Sequence, residues 1–479
     1  MATLAQEPTE QFVTEESSAR TVWRLAWPAV ALNSMQVVNT LLDRGFIGHL
    51  NTAALTAFGA STTVMFLMFS LAVSIATGAT ALVSRFFGAG EPSQYRLASR
   101  QSVGLAVAAG FILAALGWMS AQGVARAILP AGDDAAAVQM TAFVRVFCLS
   151  LPALFVIQTL AGCMRGVGDT VSPMIISSVQ IVLHITLNFL FIFPTRTIGS
   201  VTIPGAGWGL PGAAAALGVS AWISACGYLL YASKTRLGEQ WRITIPSKEW
   251  SQRILRIAVP AATMSTLRVL SLTLFTLVLA LTPNGSVAIA AMGIGFSIES
   301  IMFMPTFGLS VAAAALVGQS LGMKRPDRAE RLAWTAAHHG ALVTFILAGP
   351  IYFFCPAMAA ALLDHKEDVV AQTVSLIRWL CVTEVFFAYA MILIGAMQGA
   401  GDTQRPMWVT VFSLWALRVP MAFIFALHGG QLIFGALAMP FGLGLGSNGA
   451  WMALGATQGI QGLLAVLLFK QGTWKHKNV

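Results

Sequence analysis

Among the ionisable side chains within the long apolar stretches of this 479-residue chain, six are set well in from the stretch ends or their basic flanks: Asp43, His184, Arg268, Glu299, Glu384 and Arg418. Surrounded by hydrocarbon such groups are costly, so each is expected to pair with an opposite charge or to take part in moving protons, ions or ligands. Their distribution is unequal. Glu299 and Glu384 share the second half of the chain with Arg268 and Arg418, and two acids with two bases are expected to pair within ion-pair reach as a neutral, structural network. Asp43 and His184 share the first half, where no arginine lies at comparable depth. A carboxylate beside a guanidinium stays ionised, whereas one desolvated without a permanent cation takes up a proton more readily. Asp43 is therefore the expected carrier of a proton, and His184 the titratable group that could share it.

The residues around these two are polar at helical spacing. Asn33, Gln36, Asn39 or Thr40, and Asp43 make one stripe, and Ser177, Gln180, His184 and Asn188 make another. Counted inward from Gly48 and Pro194, Asp43 and Asn188 lie at similar depth and His184 about 6 Å deeper. The stripes could face one cavity, or they could be packing glue, since polar side chains often bond between membrane helices. Pro28 precedes Asp43 by fifteen residues, about 22 Å along a helix, and removes one backbone hydrogen bond, which permits a bend there.

Composition sets the medium in which these groups sit. The chain is 57% hydrophobic and 10% charged, with mean hydropathy +0.75, which implies lipid as the solvent. Stretches long enough to span a bilayer occur at about 23–47, 54–83, 100–121, 139–164, 174–194 and 211–232, and again at about 254–282, 287–317, 333–356, 370–397, 407–428 and 448–469. The two sets repeat. Gly162, Met164, Gly166, Gly168, Asp169, Thr170, Pro173 and Met174 match Gly395, Met397, Gly399, Gly401, Asp402, Thr403, Pro406 and Met407 at one constant offset, and Arg24 to Pro28 matches Arg256 to Pro260. The halves run in the same order after an even number of spans, so they form a parallel repeat about the membrane normal. The expected fold is an all-α integral membrane protein with twelve transmembrane helices in two pseudo-symmetric six-helix lobes. The chain divides into a polar tail (1–21), an N-lobe (22–231), a basic linker (232–252), a C-lobe (253–470) and a short tail (471–479).

Basic residues orient the bundle. With the N-terminus inside, the inner face receives Arg20, Arg24, Arg85, Arg96, Arg100 and Arg165. It also receives the linker cluster Lys234, Arg236, Arg242, Lys248, Arg253 and Arg256, then Lys324, Arg325, Arg328, Arg331, Arg405, Lys470, Lys475 and Lys477. The outer face receives only Arg44, Arg126, Arg196 and Lys366. Both termini are therefore expected in the cytoplasm. The net charge of +9 follows from inner loops meeting anionic headgroups, so the bilayer is the expected partner and nucleic acid is not. The first residues, with Glu7, Glu10, Glu15 and Glu16, lack the basic start and immediate apolar run of a cleaved signal. Cys148, Cys163, Cys226, Cys355 and Cys381 lie in or beside apolar stretches without metal-ligand spacing and read as packing residues.

Over nearly its whole length the chain resembles the multidrug and toxic compound extrusion (MATE) transporters, and their bacterial DinF-like branch more than the NorM-like one. The resemblance rests on Asp43-Arg-Gly-Phe-Ile-Gly-His-Leu50, similar to the family's Asp-Thr-x-x-x-Gly-His-Leu, on Arg165-Gly-x-Gly-Asp-Thr170 with its repeat Gln398-Gly-Ala-Gly-Asp-Thr403, and on Val317-Gly-Gln-Ser-Leu-Gly322. It implies two lobes around a central cleft in the plasma (inner) membrane, exporting cationic or amphipathic compounds in exchange for protons or sodium. In the DinF-like pattern the first-helix aspartate works with an Asn-x-x-x-Asp pair on the fifth helix, and a first-helix proline allows bending. Asp43 and Pro28 match. His184 and Asn188 stand in place of the pair, which disfavours a two-carboxylate relay and sharpens an Asp43–His184 relay. Arg268 stands where the NorM-like pattern expects a glutamate.

The expected function is thus a cation-coupled antiporter working by alternating access, with no cofactor beyond H+ or Na+, sodium near Asp43 being the alternative to protonation. A monomer is expected. Met35, Met65, Met68, Met264, Met292, Met302 and Phe303 could form an adaptable substrate lining. A flippase for lipid-linked saccharides would require a strongly cationic cavity. A membrane-embedded enzyme would require a nucleophile elbow, a phosphate loop or paired metal ligands, and His338-His339 lacks ligand spacing.

Overall fold

The computed structural model describes residues 17–129, 132–198, 201–238, 243–362, 367–433 and 437–477. The acidic residues Glu7, Glu10, Glu15 and Glu16 of the expected tail, and Arg242 and Lys366 of the charge argument, lie outside the described residues. The first half folds as α1 (Ser18–Gly48), α2 (Thr52–Gly88), α3 (Pro92–Ile128), α4 (Asp134–Cys148), α5 (Leu151–Gly166), α6 (Val171–Ile192) and α7 (Leu210–Ser233). The second half folds as α8 (Lys248–Ala280), α9 (Gly285–Gly322), α10 (Pro326–Leu362), α11 (Glu367–Gly399), α12 (Gln404–Val411), α13 (Val419–Ala426) and α14 (Gly446–Lys470).

These helices make twelve rods among the described residues. Two of the rods are composite. The stretch expected as one helix at 139–164 is α4 and α5, which meet at a 49° bend. Pro152 supplies no N–H to the ladder there, and Ser150 turns its hydroxyl back onto the carbonyl of Phe147 at 2.6 Å. The rod from Gln404 to Ala426 is continuous, but its middle, Phe412–Arg418, is π-helical. Pro420 deprives the preceding turn of a donor, and the ladder widens just before it. Ten rods are individually long and apolar enough to cross a bilayer, and the bent pair makes an eleventh. The twelfth is α1, whose polar stripe lowers its hydropathy.

Each half also contains a feature absent from the helical expectation, an antiparallel hairpin before its last helix. β1 (Pro194–Ile198) pairs with β2 (Val201–Ala206), and β3 (Leu432–Ile433) pairs with β4 (Leu437–Ala438). Their equivalent positions extend the duplication beyond the sequence matches. The repeated Gly-Asp-Thr strings are equivalent in backbone detail as well. Gly168 and Gly401 have φ of 86° and 85°, and in both copies the aspartate N–H bonds to the methionine carbonyl five residues earlier, at 2.9 Å. That is a Schellman closure, which needs a left-handed residue after the last helical turn and so selects glycine.

The cores reveal an exchange between the two halves. Val22, Leu25 and Ala26 of the inner half of α1 are packed among Leu309, Ala313 and Leu393 of the C-lobe, whereas Ile47 at its other end is packed with Ala57, Phe143 and Phe193 of the N-lobe. The first helix of the second half mirrors this. Trp250, Ile254 and Ile257 of α8 join the N-lobe core with Leu82 and Leu160, and Phe275 and Val278 join the C-lobe core. Pro28 and Pro260 lie at the two changeovers. The lobes expected from the chain boundaries therefore swap their first half-helices.

At the basic end the lobes are pressed together. There is no room for a Cβ on Gly88, Gly318 or Gly322, which lie against Gln319, Ser84 and Arg85 of the opposite lobe, and Gln319 donates its amide to the Gly166 carbonyl at 2.9 Å. The C-terminal segment reinforces this closure. Trp474 is fully buried and stacks on Phe469 at 4.7 Å, Lys475 pairs with Glu330 at 2.5 Å, and Arg85 donates to the Lys477 carbonyl at 3.1 Å. The start of α1 and this segment thus share one face of the molecule.

Gly168→Ala and Gly401→Ala should each lower stability, by about 1–2 kcal/mol for a side chain forced into the left-handed region. Thermal unfolding of the two purified variants in detergent checks this, and similar losses at both positions are the expected sign of structural equivalence.

Candidate coupling site and central cavity

The polar stripes of α1 and α6 do meet. Asn188 donates its amide to Asp43 Oδ1 at 2.6 Å, and Asn39, one turn below Asp43 on the same helix, donates to Oδ2 at 3.5 Å. His184 Nδ1 contacts Asn39 Oδ1 at 3.2 Å, and its Nε2 is 4.0 Å from Asp43 Oδ1. Asp43 and Asn188 are at one depth and His184 is one turn away, as the count along the two helices predicts. The direct Asp43–His184 relay is longer than a hydrogen bond, and the short connection runs through the Asn39 amide.

The burial is graded. The Asp43 side chain is 20% exposed and that of His184 6%, while Asn188 is buried and its Oδ1 has no partner. An amide can donate to a carboxylate through its nitrogen and accept from a carboxylic acid through its oxygen. Asn188 therefore suits both protonation states of Asp43, and a 2.6 Å separation lies within the range of either bond.

Other members of the stripes point elsewhere. Thr40 is exposed and returns its hydroxyl to the Gln36 carbonyl at 3.0 Å. Gln180 is half-buried without a side-chain hydrogen bond among the described residues. Ser177 meets Tyr228 Oη at 2.8 Å. Asn33, Gln36, Ser177 and Pro28 line a central cavity of about 180 Å3 between the lobes. Its other walls include Arg165 and Gln158 of α5, Phe307 of α9 and Gln398 of α11. The Met and Phe residues named as a lining are not in its wall. Met264, Met292 and Met302 are buried in helix cores, Met65 and Met68 pack beside Phe58 and Phe143, and Phe303 stacks on Phe387 at 6.3 Å. Met35 instead receives the Ser178 hydroxyl on its sulfur at 3.2 Å. The apolar cavity walls come from Phe69, Phe307 and Met174, which follow from where α2, α9 and α6 converge and not from residue type.

In the C-lobe the four charged residues are gathered, but not in the expected pairs. Neither Arg268 nor Arg418 forms an ion pair with Glu299 or Glu384 among the described residues. The two carboxyls are instead close neighbours, and Glu384 Oε2 is buried without a hydrogen-bond partner. Gln458 donates to Glu299 Oε1 at 3.4 Å, and Arg418 donates through Nε to Thr457 Oγ1 at 3.0 Å. Neutral amide and hydroxyl partners on α14 thus stand where pairing on charge alone placed guanidinium–carboxylate contacts. Thr457, Gln458 and Gln461 on α14 were not among the sequence candidates, although their spacing in an apolar stretch marks a polar face. Among the described residues no group of three or more His, Cys, Asp or Glu side chains could hold a metal ion.

Comparison with known proteins agrees with this architecture. The MatE family profile matches residues 28–190 and 260–424, the same two segments that carry the repeat. The chain is 28% identical over 461 residues to a probable multidrug resistance protein NorM of Thermotoga maritima, covering 95% of this chain and 93% of the relative. It is 23% identical over 414 residues to the multidrug resistance protein MdtK of Yersinia pestis, covering 85% and 88%. Among solved structures, a MATE protein in complex with MaL6 superposes with a TM-score of 0.83 at 20% identity over 95% of this chain and 96% of that one. A MOP superfamily transporter from Pyrococcus furiosus gives 0.84 at 19% identity over 97% and 98%. The relatives bear NorM and MdtK names, so they establish the family without singling out the DinF-like branch. The duplicated helical halves, the matched segments and the near-complete coverage have one meaning: this chain belongs to the MatE family and is a membrane transporter, not an enzyme.

Proposed function

We propose that the protein is a proton-coupled antiporter of the plasma membrane that exports amphipathic small molecules by alternating access, with Asp43 as the coupling residue. The observation that carries this reading is the Asp43 cluster: one partly exposed carboxylate, held by two amides and without an arginine or lysine partner among the described residues. Such a group changes charge on taking a proton, and a ligand shifts a conformational equilibrium only by binding its two states differently. Asp43 lies on α1, whose outer half packs on the N-lobe and whose inner half packs on the C-lobe. Protonation would weaken the grip of donor amides on the carboxylate, altering the α1–α6 contact, and Pro28 at the changeover gives α1 a place to bend.

The basic end is assigned to the cytoplasm by the positive-inside rule, so the close packing there corresponds to a state shut toward the inside. Sodium is the second coupling ion to consider, with Asp43 and the unpartnered Asn188 Oδ1 as oxygen ligands. Multidrug resistance relatives support amphipathic substrates. The central cavity wall offers Arg165 and no carboxylate, so substrate binding there rests on amphipathic contacts, and coupling to Asp43 runs through the change of conformation. That single arginine is also far from the cationic cluster a saccharide-pyrophosphate flippase would need. One chain contains both the cluster and the cavity, which favours a monomeric working unit.

Asp43→Asn keeps the shape of a protonated carboxyl but releases no proton. It should abolish dye export driven by an imposed proton gradient in inverted vesicles while leaving dye binding to the purified protein within a few-fold of wild type. Undiminished proton-driven export would remove Asp43 from the mechanism, and export that follows an imposed sodium gradient alone would identify sodium as the coupling ion.

His184→Gln retains a hydrogen-bonding partner for Asn39 without a titratable ring. The pH optimum of export should move in this variant. An unchanged pH profile with unchanged rate would assign His184 to packing.

A further inference from the structure

We propose that the basic end of the molecule contains a phosphate-binding site shared by the two lobes. Its ligand is a phosphate group, supplied either by an anionic lipid headgroup of the inner leaflet or by a free phosphate anion. The site is a cavity of about 650 Å3 between the ends of α1, α5 and α7 on one side and α9 and α10 on the other. Lys234 and Arg236 line it from the N-lobe and Arg328 from the C-lobe, Arg24 lies on the exchanged inner half of α1, and the carboxylate in its wall is Asp169. Asp169 accepts the Ser172 N–H at 3.0 Å, and its single charge leaves the four basic side chains of the lining in excess.

Two independent features point to an anion. Arg328 is half-buried and directs Nη1 at the sulfur of Met323, 3.3 Å away, a weak acceptor that leaves the guanidinium charge uncompensated. Arg325 and Arg331 flank it in sequence, so cations crowd the first turn of α10, whose helix dipole already makes that end positive. Of the acids in the same turns, Asp327 is exposed and Glu330 is taken by Lys475. Like charges from two lobes face one another across the cavity, held there by the packing of Gly88 and Gly322. Their repulsion opposes the closed inner face, and an anion between them reverses its sign. Basic pockets at this level of a membrane protein suit lipid phosphates, and a phosphate bridging Lys234 or Arg236 to Arg328 would favour the state in which the inner ends meet.

The test uses the full-length protein in nanodiscs of phosphatidylcholine with increasing phosphatidylglycerol, reading bound lipid by native mass spectrometry and the unfolding temperature in parallel. A separate arm titrates inorganic phosphate into protein held in uncharged detergent. Wild type should retain phosphatidylglycerol over phosphatidylcholine, and K234Q/R236Q/R328Q should bind it about a hundredfold more weakly, each lost cation near the surface contributing about fivefold. The control K248Q/R256Q/K470Q removes three exposed cations of the same face outside the cavity and should change binding little. The single variants K234Q and R328Q, one from each lobe, report the same loss in smaller steps should the triple variant fold poorly. Stabilisation by inorganic phosphate would identify a free anion as sufficient, and stabilisation by phosphatidylglycerol alone would identify the lipid. Equal losses in the two triple variants, or no preference for either phosphate source in wild type, would overturn the proposal.

Discussion

A charge surrounded by hydrocarbon must be neutralised, hydrated or paired within the protein, and most of this structure can be read as a set of answers to that constraint. The C-lobe answers by giving a buried acid an amide donor and a buried guanidinium a threonine hydroxyl. The N-lobe answers with amides, which impose no fixed charge and leave Asp43 free to change its own. The basic end answers with headgroup-level cations. Different solutions in the two lobes give a near-symmetric fold an asymmetric chemistry, which a device that exchanges one solute for another requires.

The exchanged half-helices connect this chemistry to movement. If α1 belonged wholly to the N-lobe, a change at Asp43 would be felt only within that bundle. Its inner turns are instead embedded among Leu309, Ala313 and Leu393, so displacement of its outer half from α6 is resisted, or followed, by the opposite lobe. Pro28 lies between the two attachments, and α8 repeats the arrangement around Pro260 without an acid at the corresponding depth. The proline positions are thus a property of the fold, and the carboxylate is what distinguishes one lobe as the candidate energy-coupling half.

Much of this was legible in the residues. The Gly-Asp-Thr repeat predicted equivalent closures, and Gly168 and Gly401 share one backbone conformation because the turn, not the lobe, selects glycine. Helical spacing placed Asp43 beside Asn188 and His184 one turn away, since two parallel helices keep one offset along their contact. Ion pairing in the C-lobe was misread: charge counting has no means of seeing that Gln458 reaches Glu299 and Thr457 reaches Arg418 instead. The swapped half-helices were invisible for a related reason. An apolar face records that it will be buried but not against which partner, and α1 and α8 are apolar on several sides. The cavity lining failed likewise, because Met and Phe fill cores as readily as they line clefts.

The central claim is that the proton exchanged for substrate resides on Asp43. Infrared difference spectroscopy on the purified full-length protein, comparing substrate-free and dye-bound states, reads it directly through the carbonyl stretch of a protonated carboxyl. The wild-type protein should lose such a band on binding dye, Asp43→Asn should show no change there, and Glu299→Gln/Glu384→Gln should still show it. A band that disappears on dye binding to Asp43→Asn as it does in wild type would place the exchanged proton on another residue and contradict the account.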